Sequence, residues 1–208
     1  MGLAVEHAYL VLATGNRGKV LEFQNLLAPA GFTLFTPGDI GFTGEIDETG
    51  DTLVKNSLIK ARALAAHTSH PVLADDSGLE VDALGGAPGV YSARFASPDE
   101  AVDESGRSIP QDVANRNKLM QALSGESDRT ARFRCVLCYL VPNHEPTFFT
   151  GVCEGRITEA ERGEGGFGYD PLFIPTGFDK TFGELSHSLK DGMSHRGQAV
   201  SLFLKSLA

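Results

Sequence analysis

Apolar and polar positions divide this chain into short strands and amphipathic helices that alternate along its length. Tyr9 to Ala13 is an unbroken apolar run, the pattern of a strand covered on both faces. A polar turn, Thr14-Gly15-Asn16-Arg17-Gly18-Lys19, follows at once. Val20, Phe23, Leu26 and Leu27 then recur at helical spacing, and Pro29 and Gly31 end that helix. Phe32 to Phe35 reads as a second strand. Pro37 to Gly50 is a glycine-rich loop closing on Glu45-Ile46-Asp47-Glu48-Thr49-Gly50. The helix predicted over about 51–66 carries Val54, Leu58, Ala61 and Ala65 on one face. Thr52, Asn56 and Lys60 form a polar stripe on another, which faces solvent or borders a cleft.

The second half continues the alternation. The apolar run Pro71-Val72-Leu73 leads into Ala74-Asp75-Asp76-Ser77-Gly78, read as a turn at a strand end. Leu79 to Leu84 alternates like a short strand, and Gly85 to Val90 forces a turn. Ser97 to Pro110 is a polar loop with some helix. Gln111 to Leu123 is helical, and 132–141 and 146–157 are two long antiparallel strands. A loop with three glycines, Glu164 to Pro171, precedes a strand at Leu172 to Ile174 and a short helix at Lys180 to Ser186. Ser194-His195-Arg196-Gly197 opens the last helix, Gln198 to Leu207, with Ser194 as its N-cap. The succession is that of an α/β protein. No internal repeat interrupts it.

Composition narrows the field. The 208 residues suit one large domain, or a domain with a subordinate lobe. The chain is 41% apolar and 22% charged, as ordinary globular proteins are. A formal net charge of −9 argues against general nucleic-acid or membrane-surface binding, though a local cluster of cations and backbone N–H groups can still hold a small anion. No apolar run is long enough to span a bilayer, and Met1 to His7 lacks the features of a signal peptide. Three cysteines fit a reducing, cytoplasmic compartment. Cys135 and Cys138 stand in a strand, where residues three apart face opposite sides, so they read as core thiols and not as a metal or redox pair.

The candidate chemistry lies in the polar connections. Neighbouring Asp75 and Asp76 repel each other, so a site built on both needs a cation or a shared proton. Thr14 to Lys19 combines helix-start N–H groups with Arg17 and Lys19, which suits an anion. It is not a Walker A loop, because Ala13 and Val20 replace the glycine and hydroxyl residue that pattern requires. Phe167 and Tyr169, among glycines, suit stacking on a planar ring. A histidine and an arginine at a helix start oppose the dipole, a local conflict that hints at function.

Taken together, Ala13 to Lys19, Glu48-Thr49-Gly50, Ala74 to Leu79, Gly85 to Phe95, Gly165 to Pro171 and Ser194 to Gly197 resemble the inosine triphosphate pyrophosphatase family, of the bacterial RdgB and eukaryotic HAM1 type. The motifs occur in the family's order and spacing. The resemblance implies one domain over residues 1–208 with an elongated mixed central β-sheet flanked by helices, and two lobes around an active-site cleft. It also implies a homodimer that hydrolyses inosine, deoxyinosine and xanthosine triphosphates (ITP, dITP, XTP) to monophosphate and pyrophosphate with Mg2+. On that basis Glu48 and Asp76 are first choice for the metal, with Asp75 and Asp47 weaker. Asp76 or Asp75 is the general base, and spacing does not separate them. Thr14, Gly15, Asn16, Arg17, Gly18 and Lys19 cradle phosphates, with Lys60 and Ser77 as further phosphate ligands. Phe167 or Tyr169 stacks on the purine, and Gly168 between them also binds substrate; Asp170 fixes the loop or accepts from a ring N–H. Lys190 reaches the nucleotide, and His195 and Arg196 donate to the 6-oxo group. Two rivals remain at this point: a nucleotide-binding module without turnover, and a dimeric aspartic protease built on Asp76-Ser77-Gly78.

Overall fold

The computed structural model describes residues 8–103 and 105–208. The N-terminal segment read above as lacking a signal peptide lies outside them. Six strands pair into one sheet in the order β2-β1-β3-β4-β5-β6. They are β1 (Ala8–Leu12), β2 (Phe32–Phe35), β3 (Val72–Val81), β4 (Thr130–Leu140), β5 (Thr147–Ile157) and β6 (Phe173–Pro175). Helices α1 (Arg17–Leu27), α2 (Leu53–Ala65), α3 (Gln111–Ala122), α4 (His187–Met193) and α5 (His195–Ser206) accompany them. β1 pairs parallel with both β2 and β3, as crossovers through α1 and α2 require. β5 pairs antiparallel with β6. The connection over residues 141–146 is too short for a crossover, so the neighbours β4 and β5 run antiparallel. The sheet is therefore mixed, as expected. No helix among the described residues is long and apolar enough to cross a membrane.

The described chain divides into two compact units. One holds the residues up to Asp76 with Cys135–Val152 and Asp191–Ala208; the other holds Ser77–Arg134 and Cys153–Lys190. In the first unit each sheet face has its own core. Leu10, Leu12, Leu73, Cys135 and Leu137 pack with Phe23 and Leu27 of α1 and Ala199, Val200 and Phe203 of α5. Val11, Ala13, Val72, Ala74 and Cys138 pack with Ala61 and Leu64 of α2. Odd and even residues of β3 thus face different helices, and Cys135 and Cys138 lie on opposite sides. Burial pushes the Cys138 thiol up to about 11, which suits an inert core residue.

The approach of α5 to β5 depends on Gly151. A Cβ there would press on the His195 carbonyl oxygen and stand 2.6 Å from the Ala199 nitrogen, both backbone atoms of α5. Gly151→Ala is expected to destabilise the protein by about 1–3 kcal/mol through this overpacking. The shift in urea midpoint measures it, and an unchanged midpoint would show that α5 can move away freely.

In the second unit Phe133, Phe173 and Phe182 form a ring cluster, with Phe133 and Phe173 centroids 4.7 Å apart. Asn115 of α3 ties the segment after β3 together: its Oδ1 accepts from the Ala96 N–H at 2.8 Å, and its Nδ2 donates to the Ala93 carbonyl at 3.1 Å. The polar loop after Ser97 carries the expected short helix as a 3-10 turn, Pro98–Glu100, closed by a Ser97–Glu100 capping box. The strand expected over Leu79 to Leu84 ends at Val81 and gives way to a 3-10 turn, Asp82–Leu84. The short helix expected at Lys180 to Ser186 is likewise a 3-10 turn, Phe182–Glu184, and the α-helix follows it as α4.

Candidate active site

The largest departure from the sequence reading is at Asp75-Asp76-Ser77-Gly78, which is not a turn. β3 runs through it as one ten-residue strand. Consecutive side chains of a strand point to opposite faces, so the two carboxylates are separated by the sheet backbone and each meets its own cations.

Asp75 faces α1 and α5. It is fully buried, and its Oδ2 lies 2.7 Å from Lys19 Nζ and 3.6 Å from Arg196 Nε. The Cys135 thiol donates to its Oδ1 at 3.3 Å. Burial opposes ionisation, but Lys19, Arg196 and Lys60 outweigh it and hold this carboxyl far below the usual carboxylate range. Arg196 Nη1 also donates to Glu22 at 2.6 Å. The carboxylates of Asp75 and Glu22 overcome the burial of the guanidinium and keep it cationic. They also answer the dipole conflict at the start of α5: the cation there is matched by anions from β3 and α1. His195, beside it, is buried in the first turn, which Ser194 caps by accepting from the Gly197 N–H at 3.1 Å.

Asp76 faces α2. Lys60 Nζ donates to its Oδ1 at 2.7 Å and stands 3.3 Å from Glu48 Oε1. The pair is asymmetric. Burial disfavours the Lys60 cation, but Asp76, Asp75 and Glu48 more than compensate and raise its pKa. Burial likewise disfavours the Asp76 anion; Lys60 opposes this only in part, Glu48 adds repulsion, and the carboxyl is pushed up to about 6. Of the stripe Thr52, Asn56 and Lys60, only the N-cap Thr52 is exposed; Asn56 and Lys60 are 0% and 7% exposed. Asn56 Oδ1 accepts from the Gly50 N–H at 2.7 Å and so ties the end of the Glu48-Thr49-Gly50 turn to α2.

The Thr14 to Lys19 connection is more specific than its composition implied. Thr14 N–H donates to the Leu12 carbonyl, Asn16 N–H to Thr14 Oγ1, and Lys19 N–H to Asn16 Oδ1 as the N-cap bond of α1. That leaves the amides of Gly15, Arg17 and Gly18 as the anion donors of this helix start. The first turn of α1 contains no acidic residue to offset the dipole.

The second unit holds Ser77, which follows Asp76 on β3, and Phe167, Gly168, Tyr169, Asp170 and Lys190. Lys190 of α4 is 2% exposed, with Nζ 2.6 Å from Asp170 Oδ2 and over the rings of Phe167 (5.1 Å) and Phe182 (5.4 Å). Asp170 Oδ2 also accepts from the Phe167 N–H at 2.8 Å, so it does fix the loop. Tyr169 is buried and donates its hydroxyl to the Ser92 carbonyl at 2.9 Å. Of the two rings proposed to stack on a purine, Tyr169 is thus committed to the core and Phe167 is the better placed.

Sequence reasoning missed Glu22 and the contact of Cys135 with Asp75. Glu22 was only a spacer between apolar helix positions, and nothing local connects it with an arginine 174 positions away. Among the described residues no three His, Cys, Asp or Glu side chains come together as a metal-binding group. Even so, Asp76 Oδ2 is buried and has no hydrogen-bond partner among the described residues. With Glu48 beside the same lysine, this oxygen fits a hard cation that takes few carboxylates and completes its shell with water and phosphate.

A strand bearing two oppositely facing acids, with cations on both faces and a helix start open to anions, defines an α/β protein that handles a polyanionic ligand. The sequence profile of the Ham1 family matches residues 10–206, and the chain belongs to that family. It is 49% identical over 191 residues to the dITP/XTP pyrophosphatase of Exiguobacterium sp., covering 92% of each chain. It is 45% identical over 199 residues to the dITP/XTP pyrophosphatase of Bacillus subtilis, covering 95% of this chain and 96% of that one. The solved structure of a HAM1 protein from Coxiella burnetii is similar with a TM-score of 0.82 at 38% identity, covering 96% of this chain and 98% of that one.

Proposed function

We propose that this protein hydrolyses the triphosphates of deaminated purine nucleosides, ITP, dITP and XTP, to the monophosphate and pyrophosphate, keeping such purines out of nucleic acid. The observation that carries the mechanism is the opposed setting of Asp75 and Asp76. Asp75 is a permanent anion that positions Lys19 and Arg196. Asp76 lies on the opposite face beside Lys60 and Glu48, with its Oδ2 lacking a hydrogen-bond partner among the described residues, and we assign it as the general base. Water attacks the α-phosphorus and its proton passes to the Asp76 carboxylate. The new P–O bond forms as the bond to the bridging oxygen breaks, and pyrophosphate departs with that electron pair. Lys19, Lys60, Ser77 and the amides of Gly15, Arg17 and Gly18 bind the phosphate oxygens and orient them. Glu48 and Asp76 would hold Mg2+, which when bound supplies neutralisation of the polyphosphate charge.

Phe167 supplies the stacking face for the base, and Lys190 and Asp170 fix that loop. His195 and Arg196 supply donors for a 6-oxo group; adenine, with an amino group there, leaves them unmatched in a buried site. The pairing of Asp76 with the Lys60 cation speaks against a protease dyad, in which two aspartates share one proton. The resemblance supports a homodimer, and three buried free thiols support a reducing, cytoplasmic setting.

The deciding experiment is incubation of the pure protein with Mg2+ and ITP, with both products quantified. Equimolar inosine monophosphate and pyrophosphate are expected. Binding without turnover would leave a nucleotide-binding module, and release of orthophosphate would place cleavage at the wrong bond.

A further inference from the structure

We infer that Asn56, near the start of α2, is a further substrate-binding residue whose side-chain amide N–H donates to the polyphosphate beside Lys60. The inference rests on the reading of Lys60 as a phosphate ligand.

Asn56 is fully buried, and its two polar atoms fare differently. Oδ1 accepts from the Gly50 N–H at 2.7 Å. Nδ2 is buried and has no hydrogen-bond partner among the described residues. The amide gains nothing by turning over, because its NH2 group would then face the Gly50 N–H, donor against donor. Gly50 also lies directly against the helix: a Cβ there would stand 2.5 Å from Asn56 Oδ1 and 2.7 Å from Lys55 Cβ. The end of the Glu48-Thr49-Gly50 turn thus fixes which way the amide points.

A buried donor left unmatched weakens the folded state, and native proteins hold few of them. An exception calls for a ligand, an ion or an internal water. With Oδ1 committed to Gly50, Asn56 offers only a donor. A metal ion does not suit this atom, and an oxyanion does.

The surroundings favour the oxyanion. Asn56 and Lys60 are four residues apart and share one face of α2. Lys60 Nζ is 2.7 Å from Asp76 Oδ1 and 3.3 Å from Glu48 Oε1. Asp76 Oδ2, on the carboxyl that Lys60 holds, is a buried acceptor with no hydrogen-bond partner among the described residues. One unmatched atom suits a cation and the other an anion, and a polyphosphate with its divalent metal brings both. All of these residues belong to the first unit.

The test uses Asn56→Asp and Asn56→Leu. Aspartate keeps an acceptor for the Gly50 N–H and adds charge; leucine does neither. The two share only the loss of the donor. With Mg2+ present, the rise in urea midpoint that inorganic tripolyphosphate gives wild-type protein is expected to shrink in both. KM for ITP is expected to rise by about tenfold in both, the scale of one hydrogen bond to a charged group, with kcat within about threefold of wild type. A loss in one variant alone overturns the inference, since it traces to the added charge or to the broken Gly50 tie. An unchanged KM in both overturns it as well and leaves Nδ2 to an internal water. Where a variant does not fold, hydrogen exchange of the Asn56 side-chain amide in wild-type protein decides: slowing by tripolyphosphate supports the inference, and an unchanged rate overturns it. Each of these failures leaves the pyrophosphatase reading intact if wild-type protein turns over ITP. Wild-type protein that neither turns over ITP nor gains stability from tripolyphosphate overturns both.

Discussion

Asp76→Asn is expected to lower ITP turnover by about 100-fold to 10,000-fold, the range of a lost general base. The fold should persist, because the amide oxygen can still accept from Lys60, which now donates to Asp76 Oδ1 at 2.7 Å. Stability is expected to fall in metal-free buffer near neutral pH, because buried Lys60 loses its nearest counter-ion and keeps Glu48, at 3.3 Å. Pyrophosphate release and a urea titration on the same preparation check both parts. Turnover within about threefold of wild type would return the role of base to Asp75 or to another group.

Asp170→Asn is expected to destabilise the second unit by about 3–5 kcal/mol, the scale for leaving a buried charge without its counter-ion. Lys190 is buried and its ammonium is 2.6 Å from Asp170. Asparagine preserves the shape and can still accept from the Phe167 N–H, so the missing quantity is the negative charge. Combining it with Lys190→Met should recover part of the loss, because no buried cation then remains. Urea unfolding of the two single variants and the double variant closes the cycle. A loss below about 1 kcal/mol in Asp170→Asn would mean that this ion pair does not hold the glycine loop.

These results bear on what the chain discloses before it folds. The β1–turn–α1 unit was plain because an apolar run, a polar glycine-containing turn and a helical repeat agree with one another. The Asp75-Asp76-Ser77-Gly78 segment misled because all three residue types are poor strand formers. Its extended form comes from its place inside the sheet and from cations waiting on each face. α4 was missed for a related reason: Gly192 lowers local helix propensity, and the helix is held through the burial of Lys190. The stripe on α2 was seen but its exposure was not, since hydropathy cannot report that a buried lysine has carboxylates to meet. Conversely, His195 and Arg196 were flagged by their conflict with the helix dipole, and the partners that resolve it, Glu22 and Asp75, came from distant parts of the chain.

The path of β3 through its acidic pair has a consequence for how this protein can change. Which aspartate faces Lys19 and Arg196 and which faces Lys60 depends on parity along the strand, counted from Val72 against β1. Losing one residue between Leu73 and Asp75 would turn Asp76 towards Lys19 and Arg196 and leave Ser77 facing Lys60. Such a chain would keep Asp75, Asp76, Ser77 and Gly78 and still present no carboxylate to Lys60 at that position. Side chains in this strand can be exchanged one at a time, but its length up to Asp76 is fixed.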